Sequence, residues 1–446
     1  MIAMTLLTGC AAQTASPPAV RLVGAGEAFV GVRDNVTRAP VPPGWWKLFN
    51  DPVLDAHIVR ALSTNADLRV AIANLEVARA ALRQTRAAQL PGVGVESGIG
   101  SIYAKDQPSS TLVPTTDYDI GLTVAYEADL FGRLRSATAA VSADAAASSA
   151  ALDAARVAVV ADTVSAYVDL CGALANARVA KEQVAAQQRS VDLLARQLRE
   201  GEVSPLELAQ ARALLIRAEA VPMQFEADSR RALFRLAVLQ GIAPAAADSL
   251  EVGCKAVPTM NAAIPVGDGV SLMARRPDIR EAEHRLAAAT ARIGVATADL
   301  YPRIQLGGSV GMISGVSDAF ITPMISWAFL DRSGARARIQ SARGAEAAAL
   351  ANWDVVLLRA LREVETALAD YSAERARRAA LALALVESDK VATRARVRFD
   401  LGADSYLLVL DAERTRNEAV SQLAASDLRI AQIQVLLFRA LGGGWE

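Results

Sequence analysis

Few side chains in this chain are of the types that do covalent or metal chemistry. There are 2 His and 3 Cys in 446 residues. His57 and His284 stand on helical stretches with no Cys or second His beside them. Each reads as a packing or surface residue. No GxSxG, P-loop, HExxH or CxxC pattern occurs, so no enzymatic activity is predicted. Cys171 sits in a helical run and Cys254 in a loop-like segment. Both read as buried or partly buried thiols, and a bond between them stays open at this level. Cys10 is different. It follows a short apolar stretch ending Leu7-Thr8-Gly9, the pattern of a bacterial lipoprotein signal, whose Cys becomes the lipidated first residue. The stretch lacks a basic start and is shorter than usual. Ala11 in the next position implies outer-membrane sorting, and residues 13–18 make a polar tether. A covalent lipid on Cys10 is the only cofactor-like group expected, with no metal. One lipid holds weakly, so a second membrane contact is required.

The elements around these residues are mostly helical. Ala, Leu, Arg and Glu dominate, 52% of residues are hydrophobic, and only 5% are aromatic. Lys and Arg total 47 against 48 Asp and Glu, for a net charge of −1. A nucleic-acid surface wants a basic excess, so that partner is not expected. Mean hydropathy is +0.24, high for a soluble chain. No apolar run of about 18 residues is expected to cross a bilayer as a helix.

An internal repeat organises the chain. Residues 65–69 match 276–280 at an offset of 211. That offset places Ala71 on Ala282, Leu75 on Leu286, Pro91 on Pro302 and Gly100 on Gly311. Further on the offset is 201, placing Gly201 on Gly402, Leu206 on Leu407 and Gly241 on Gly442. The ten lost residues fall between Gly100 and Phe131. The predicted division is a residual signal at 1–9, a tether at 10–44, a first repeat at 45–250, a connecting segment at 251–275 and a second repeat at 276–446. Each repeat reads helix, strand pair, long helix, turn, helix.

The strand pairs, about 92–130 and 302–330, are the most informative stretches. Tyr118, Ile120, Leu122, Val124, Tyr126, Ala128 and Leu130 alternate with polar or small residues. Strands of this length and period are what a membrane β-barrel requires. Val93, Val95 and Ile99 match more weakly. The second pair has Ile304, Leu306, Val310 and Met312, then 320–330. Tyr103, Tyr118, Tyr126, Phe320 and Trp327 are candidate interfacial aromatics. The run 134–199 has no Pro and one Gly, so a helix of about 100 Å is predicted. Gly201 suits its C-terminal cap, and Ser204-Pro-Leu-Glu207 is a capping box. The counterpart turn runs from Gly402 to Ser405, with Asp404 or Ser405 as cap.

Four strands cannot close a barrel, and lipid does not tolerate an open edge. An oligomer follows. Two chains would give eight strands, three twelve and four sixteen.

The same residues carry a family likeness. Trp45-Trp46-Lys-Leu-Phe-Asn-Asp51-Pro-Val-Leu54, Tyr126-Glu-Ala-Asp-Leu-Phe-Gly-Arg133, Arg276-Pro-Asp-Ile279, the run 291–302, the run 407–414 and Leu441-Gly-Gly-Gly-Trp445 resemble the TolC/OprM-type outer-membrane efflux proteins, in their lipoprotein branch. The likeness covers nearly everything after Pro43. It implies a fold that is mainly α with a membrane β-barrel: a trimeric twelve-stranded barrel, four strands per chain, continued by a long α-helical barrel. It implies a passive homotrimeric duct in the Gram-negative outer membrane, lipid-anchored and reaching into the periplasm. The duct would dock with a periplasmic adaptor and an inner-membrane pump, and export drugs or other small molecules. Protein secretion or metal-ion efflux is the alternative cargo, and a periplasmic coiled-coil scaffold or adaptor the alternative class. The resemblance also places a periplasmic gate at Leu407 and Asp411, which share a helix face. Arg398 and Tyr406 are candidate ties across the closed helices. Gly201, Ser204, Gly402 and Ser405 mark adaptor-docking hairpin tips. Where relatives often carry Phe-Asp-Gly-Gly-Arg, this chain has Phe329-Leu-Asp-Arg-Ser-Gly334. Gly334 is the expected flexible point of that corner.

Overall fold

The structure is a computed structural model that describes residues 28–31, 35–105, 112–254, 256–260, 262–313, 316–327 and 332–443. Cys10 and its tether to residue 27 lie outside them.

The repeat is visible element by element. Helix α1 (Pro52–Thr64) leads into α2 (Ala66–Ala87), strands β2 (Gly92–Lys105) and β3 (Leu112–Ala128), α3 (Arg133–Glu200) and α4 (Pro205–Leu239). The second copy runs α5 (Gly269–Arg275), α6 (Pro277–Ala298), β5 (Arg303–Ile313), β6 (Val316–Ser326), α7 (Arg332–Asp400) and α8 (Tyr406–Ala440). Helices α2 and α6 each have 22 residues, α4 and α8 each 35, and α3 and α7 have 68 and 69. The copies differ in the strands, which have 14 and 17 residues in the first and 11 and 11 in the second. Short strands β1 (Val36–Thr37) and β4 (Ile264–Pro265) pair in parallel.

The two compact units cut across the repeats. One takes residues 73–150 and 278–356, and so receives all four long strands. The other takes the described residues of 22–72 with 151–277 and 357–446, and so receives the hairpin ends.

In the first unit the strands form one antiparallel sheet in the order β2-β3-β5-β6. The central pair, β3 with β5, joins one repeat to the other. Helix α3 corrects one expectation. It does contain an 18-residue stretch apolar enough to cross a bilayer, but 72% of that stretch is buried within the protein. Its Ala and Val side chains are core, with Val160, Val164 and Ala166 fully covered. Small residues there permit close approach: a Cβ on Gly172 would lie 2.4 Å from Leu428 Cδ1 on α8.

In the second unit Trp45 is buried and stacks on Phe438 of α8, centroids 4.7 Å apart. Trp46 is only half-buried. The amides of Val30 and Gly31 donate to the two carboxylate oxygens of Glu365 on α7, at 2.8 and 2.9 Å. Arg276 donates to Glu363 and to the Ala440 carbonyl, both at 2.8 Å, and Arg275 donates to the Leu441 carbonyl. Gly442 has φ +68°, and a Cβ there would strike Arg276. The Arg276 and Leu441-Gly-Gly motifs are therefore two sides of one contact.

Candidate functional site

The sheet carries the first functional surface. Register decides which side chains share a face. One row runs Val93–Val124–Gly308–Ile321, and the next Val95–Leu122–Val310–Ala319. Tyr126, Leu306 and Pro323 form a further row on the same face. Val95 is 71% exposed and Ile321 84%. A continuous apolar face therefore crosses all four strands without protein cover. The rows between are different: Gly92–Ala125–Gly307–Thr322, Gly94–Thr123–Ser309–Phe320 and Glu127–Gln305–Met324. That face is mostly small or polar, with Phe320 and Met324 on β6 as its large apolar members, while the uncovered apolar face is the reverse of a soluble sheet that hides its apolar side.

Phe320 belongs to this second face, so it is not an interfacial aromatic on the apolar side. Its neighbour Ile321 takes the apolar position instead. Trp327 follows the end of β6, and its Nε1 donates to the Leu300 carbonyl at 3.1 Å. Tyr103 and Tyr118 hold register positions opposite Pro114 and Ile99. Strands β2 and β6 each have one edge without a partner among the described residues.

The strand-to-helix corner explains the 126–133 motif. Glu127 accepts two hydrogen bonds from Arg133, at 2.8 and 2.5 Å. Asp129 accepts from the amides of Leu134 and Arg135, at 3.1 and 2.9 Å, which satisfies the free N–H groups opening α3. Gly132 has φ +77°, a left-handed conformation that suits glycine. Phe131 stacks on Tyr301, centroids 4.7 Å apart. The other corner departs from expectation: Gly334 lies inside α7, and residues 328–331 lie outside those described.

The hairpin ends carry the predicted gate and tips. Gly201 and Gly402 have φ +79° and +71°, as helix-ending glycines. At the first tip Ser204 forms the expected capping box. Its amide donates to Glu207 Oε2 at 2.8 Å, and its Oγ accepts from the Glu207 amide. At the second tip Ser405 holds the N-cap position, but its side chain makes no capping bond. Asp404 is taken by Arg398 instead, through Nε and Nη2, the latter at 3.0 Å. That ion-paired hydrogen bond holds Asp404 below the usual carboxylate range. Arg398 thus ties its own turn. Tyr406 is fully buried, packs edge-on against Phe399, and shares an apolar cluster with Leu194, Leu208, Ala211 and Val409. Burial pushes its phenol above the ordinary value.

Leu407 is 41% exposed and Asp411 is on the same exposed side of α8, paired to Arg414 at 2.8 Å. Further pairs link α7 to α8: Arg396 to Glu413 at 2.6 Å and Asp389 to Arg416 at 2.5 Å.

The model of the family described as "Outer membrane efflux protein" matches residues 57–241 and 270–443. The chain belongs to the outer membrane efflux protein family. Among its relatives, the outer membrane protein OprJ of Pseudomonas aeruginosa is 32% identical, over 100% of this chain and 95% of the relative. The toluene efflux pump outer membrane protein TtgI of Pseudomonas putida is 30% identical, over 100% and 98%. The solved outer-membrane channel OprN superposes with a TM-score of 0.91 at 33% identity, covering 97% of this chain and 99% of that one. The open-state channel MtrE of Neisseria gonorrhoeae gives 0.84 at 25% identity, over 97% and 98%. The chain is therefore an outer-membrane efflux channel protein, and the family works as channels.

Proposed function

We propose that three copies of this chain close one twelve-stranded barrel and form a passive duct. The observation carrying this reading is the four-stranded sheet: apolar on one face, mostly polar or small on the other, with two edges unpaired among the described residues. The strand number is even, so β6 of one copy meets β2 of the next in the antiparallel sense. A cyclic trimer then leaves no edge in lipid. The small-residue face lines the lumen, and the long helices continue the conduit in the periplasm.

In this reading Leu407 and Asp411 from three copies narrow the periplasmic end, an apolar ring beside a carboxylate ring. Gly201, Ser204, Gly402 and Ser405 present the tips to an adaptor, which couples the duct to an inner-membrane pump. The cargo is a drug or another small molecule, in keeping with the toluene efflux named for one relative. No catalytic residue is needed, since the pump supplies the energy. A lipid on Cys10 adds the second membrane contact.

Reconstitution in planar bilayers tests this, using a pair of neighbouring substitutions. Ile321→Arg puts charges toward lipid, at about 2–4 kcal/mol per site near the midplane, and is expected to abolish insertion. Phe320→Arg puts the same charges in the lumen, and is expected to insert and shift ion selectivity toward anions. Equal behaviour of the two would overturn the assignment of faces.

A further inference from the structure

The second unit holds a disulfide. Cys171 of α3 is bonded to Cys254, 83 residues away, with Cα atoms 5.2 Å apart. Cys254 lies between the two stretches matched by the family model, which end at 241 and resume at 270. The segment it belongs to is held on its other side by α1. The Glu251 carbonyl accepts from His57 Nε2 at 3.0 Å, and His57 Nδ1 accepts from Gln240 Nε2 at 3.0 Å. Gly253 lies against Val53, where a Cβ would come within 2.7 Å. Asp51 caps α1, accepting from the Val53 amide at 2.9 Å, and also accepts from the Tyr167 hydroxyl at 2.8 Å. Tyr167 stands one turn before Cys171 on α3. The disulfide therefore completes a ring of contacts that runs α3, Asp51, α1, His57, Glu251, Cys254 and back to α3. Without it, the 251–254 segment keeps α1 but loses its covalent hold on α3.

We propose that this channel matures through oxidation of Cys171 and Cys254 by a periplasmic thiol–disulfide oxidant, and that the bond locks α1 and the connecting segment to α3. Cys171 is 1% exposed in the folded chain, whereas Cys254 is only half-buried. Cys254 is therefore the sulfur that meets the oxidant first. Its thiolate attacks a sulfur of the oxidant's disulfide, forming a mixed disulfide and freeing one oxidant thiol. The Cys171 thiolate then attacks the Cys254 sulfur, forming the internal bond and releasing the oxidant as a dithiol. Two electrons and two protons pass to the oxidant. The partner is thus a protein disulfide of higher reduction potential than this one, in an oxidising compartment. The remaining cysteine, Cys10, is left free for its lipid.

The proposal rests on the outer-membrane reading, and the fraction from which the chain is recovered reports that reading separately. Full-length protein is purified from outer membranes of cells with and without thiol-oxidant activity, quenched in acid, denatured, alkylated with iodoacetamide and read by peptide mass spectrometry. In oxidant-containing cells Cys171 and Cys254 are expected as one linked peptide pair without alkylation. In cells lacking the oxidant both are expected alkylated, and native-state proteolysis within 242–269 at least about tenfold faster. The variant C254S is expected to show the same fast cleavage in either strain. Two alkylated cysteines in oxidant-containing cells, or equal linkage in both strains, would overturn the proposal.

Discussion

The two helical hairpins have nearly the same lengths and equivalent turns, yet they are fastened differently. The tip between α3 and α4 closes on itself: Ser204 and Glu207 satisfy each other's backbone amides. The tip between α7 and α8 has no capping box. It is held by charge pairs, Arg398 with Asp404, Arg396 with Glu413 and Asp389 with Arg416. Capping is local and insensitive to salt, whereas exposed ion pairs are weak and screened. Charge pairs also join α3 to α4, Lys181 with Glu226 and Arg235 with Asp162, so the two hairpins differ at the turn itself: one tip is capped and the other rests on an exposed ion pair. The ion-paired tip is the one next to Leu407 and Asp411.

Four perturbations break or sharpen this contrast. The double replacement Leu407→Ala with Asp411→Ala removes the proposed constriction. It is expected to give the largest rise in single-channel conductance, and an unchanged conductance would remove these residues from the gate. Arg398→Ala, which frees the turn while leaving the constriction in place, is expected to raise open probability less, with the rise over wild type larger at low salt, where the Arg398–Asp404 pair is unscreened. Ser204→Ala should cost about 1 kcal/mol of local stability at the first tip, read as faster amide exchange there, with conductance unchanged.

The smallest effect concerns pH. Asp404 has a depressed pKa through its hydrogen bond and ion pair with Arg398. Its contribution is therefore present above the ordinary Asp value of about 3.9 and is lost as pH falls through the depressed one. Open probability is expected to rise only in acid below that ordinary value in the wild type. It should be insensitive to this step in Arg398→Ala.

Much of the architecture was legible because it rests on local patterns. Period-two alternation located β3, and the helix-breaking Pro91 and Pro302 separated α2 and α6 from the sheet. The offsets of 211 and 201 recur as the 22- and 35-residue helix pairs. The capping box at Ser204 was readable from four letters. What stayed hidden was set by tertiary contact. Phe320 and Ile321 are adjacent and both apolar, so only the register of β5 with β6 assigns their faces. Asp404 and Ser405 were equal candidates for a cap until Arg398, six residues earlier, took the carboxylate. The apolar stretch of α3 cannot be told from a membrane span by composition, because burial against neighbouring helices demands the same residues. Cys171 and Cys254 meet across 83 residues, a distance at which sequence carries no pairing signal.

The central claim is that this chain is one third of a closed barrel. Its most direct test is the native mass of the detergent-solubilised complex, extracted gently from the outer membrane. The account predicts a single species of three chains, with β2 of each protected by β6 of the next. A stable one-chain or two-chain particle that still conducts would contradict it.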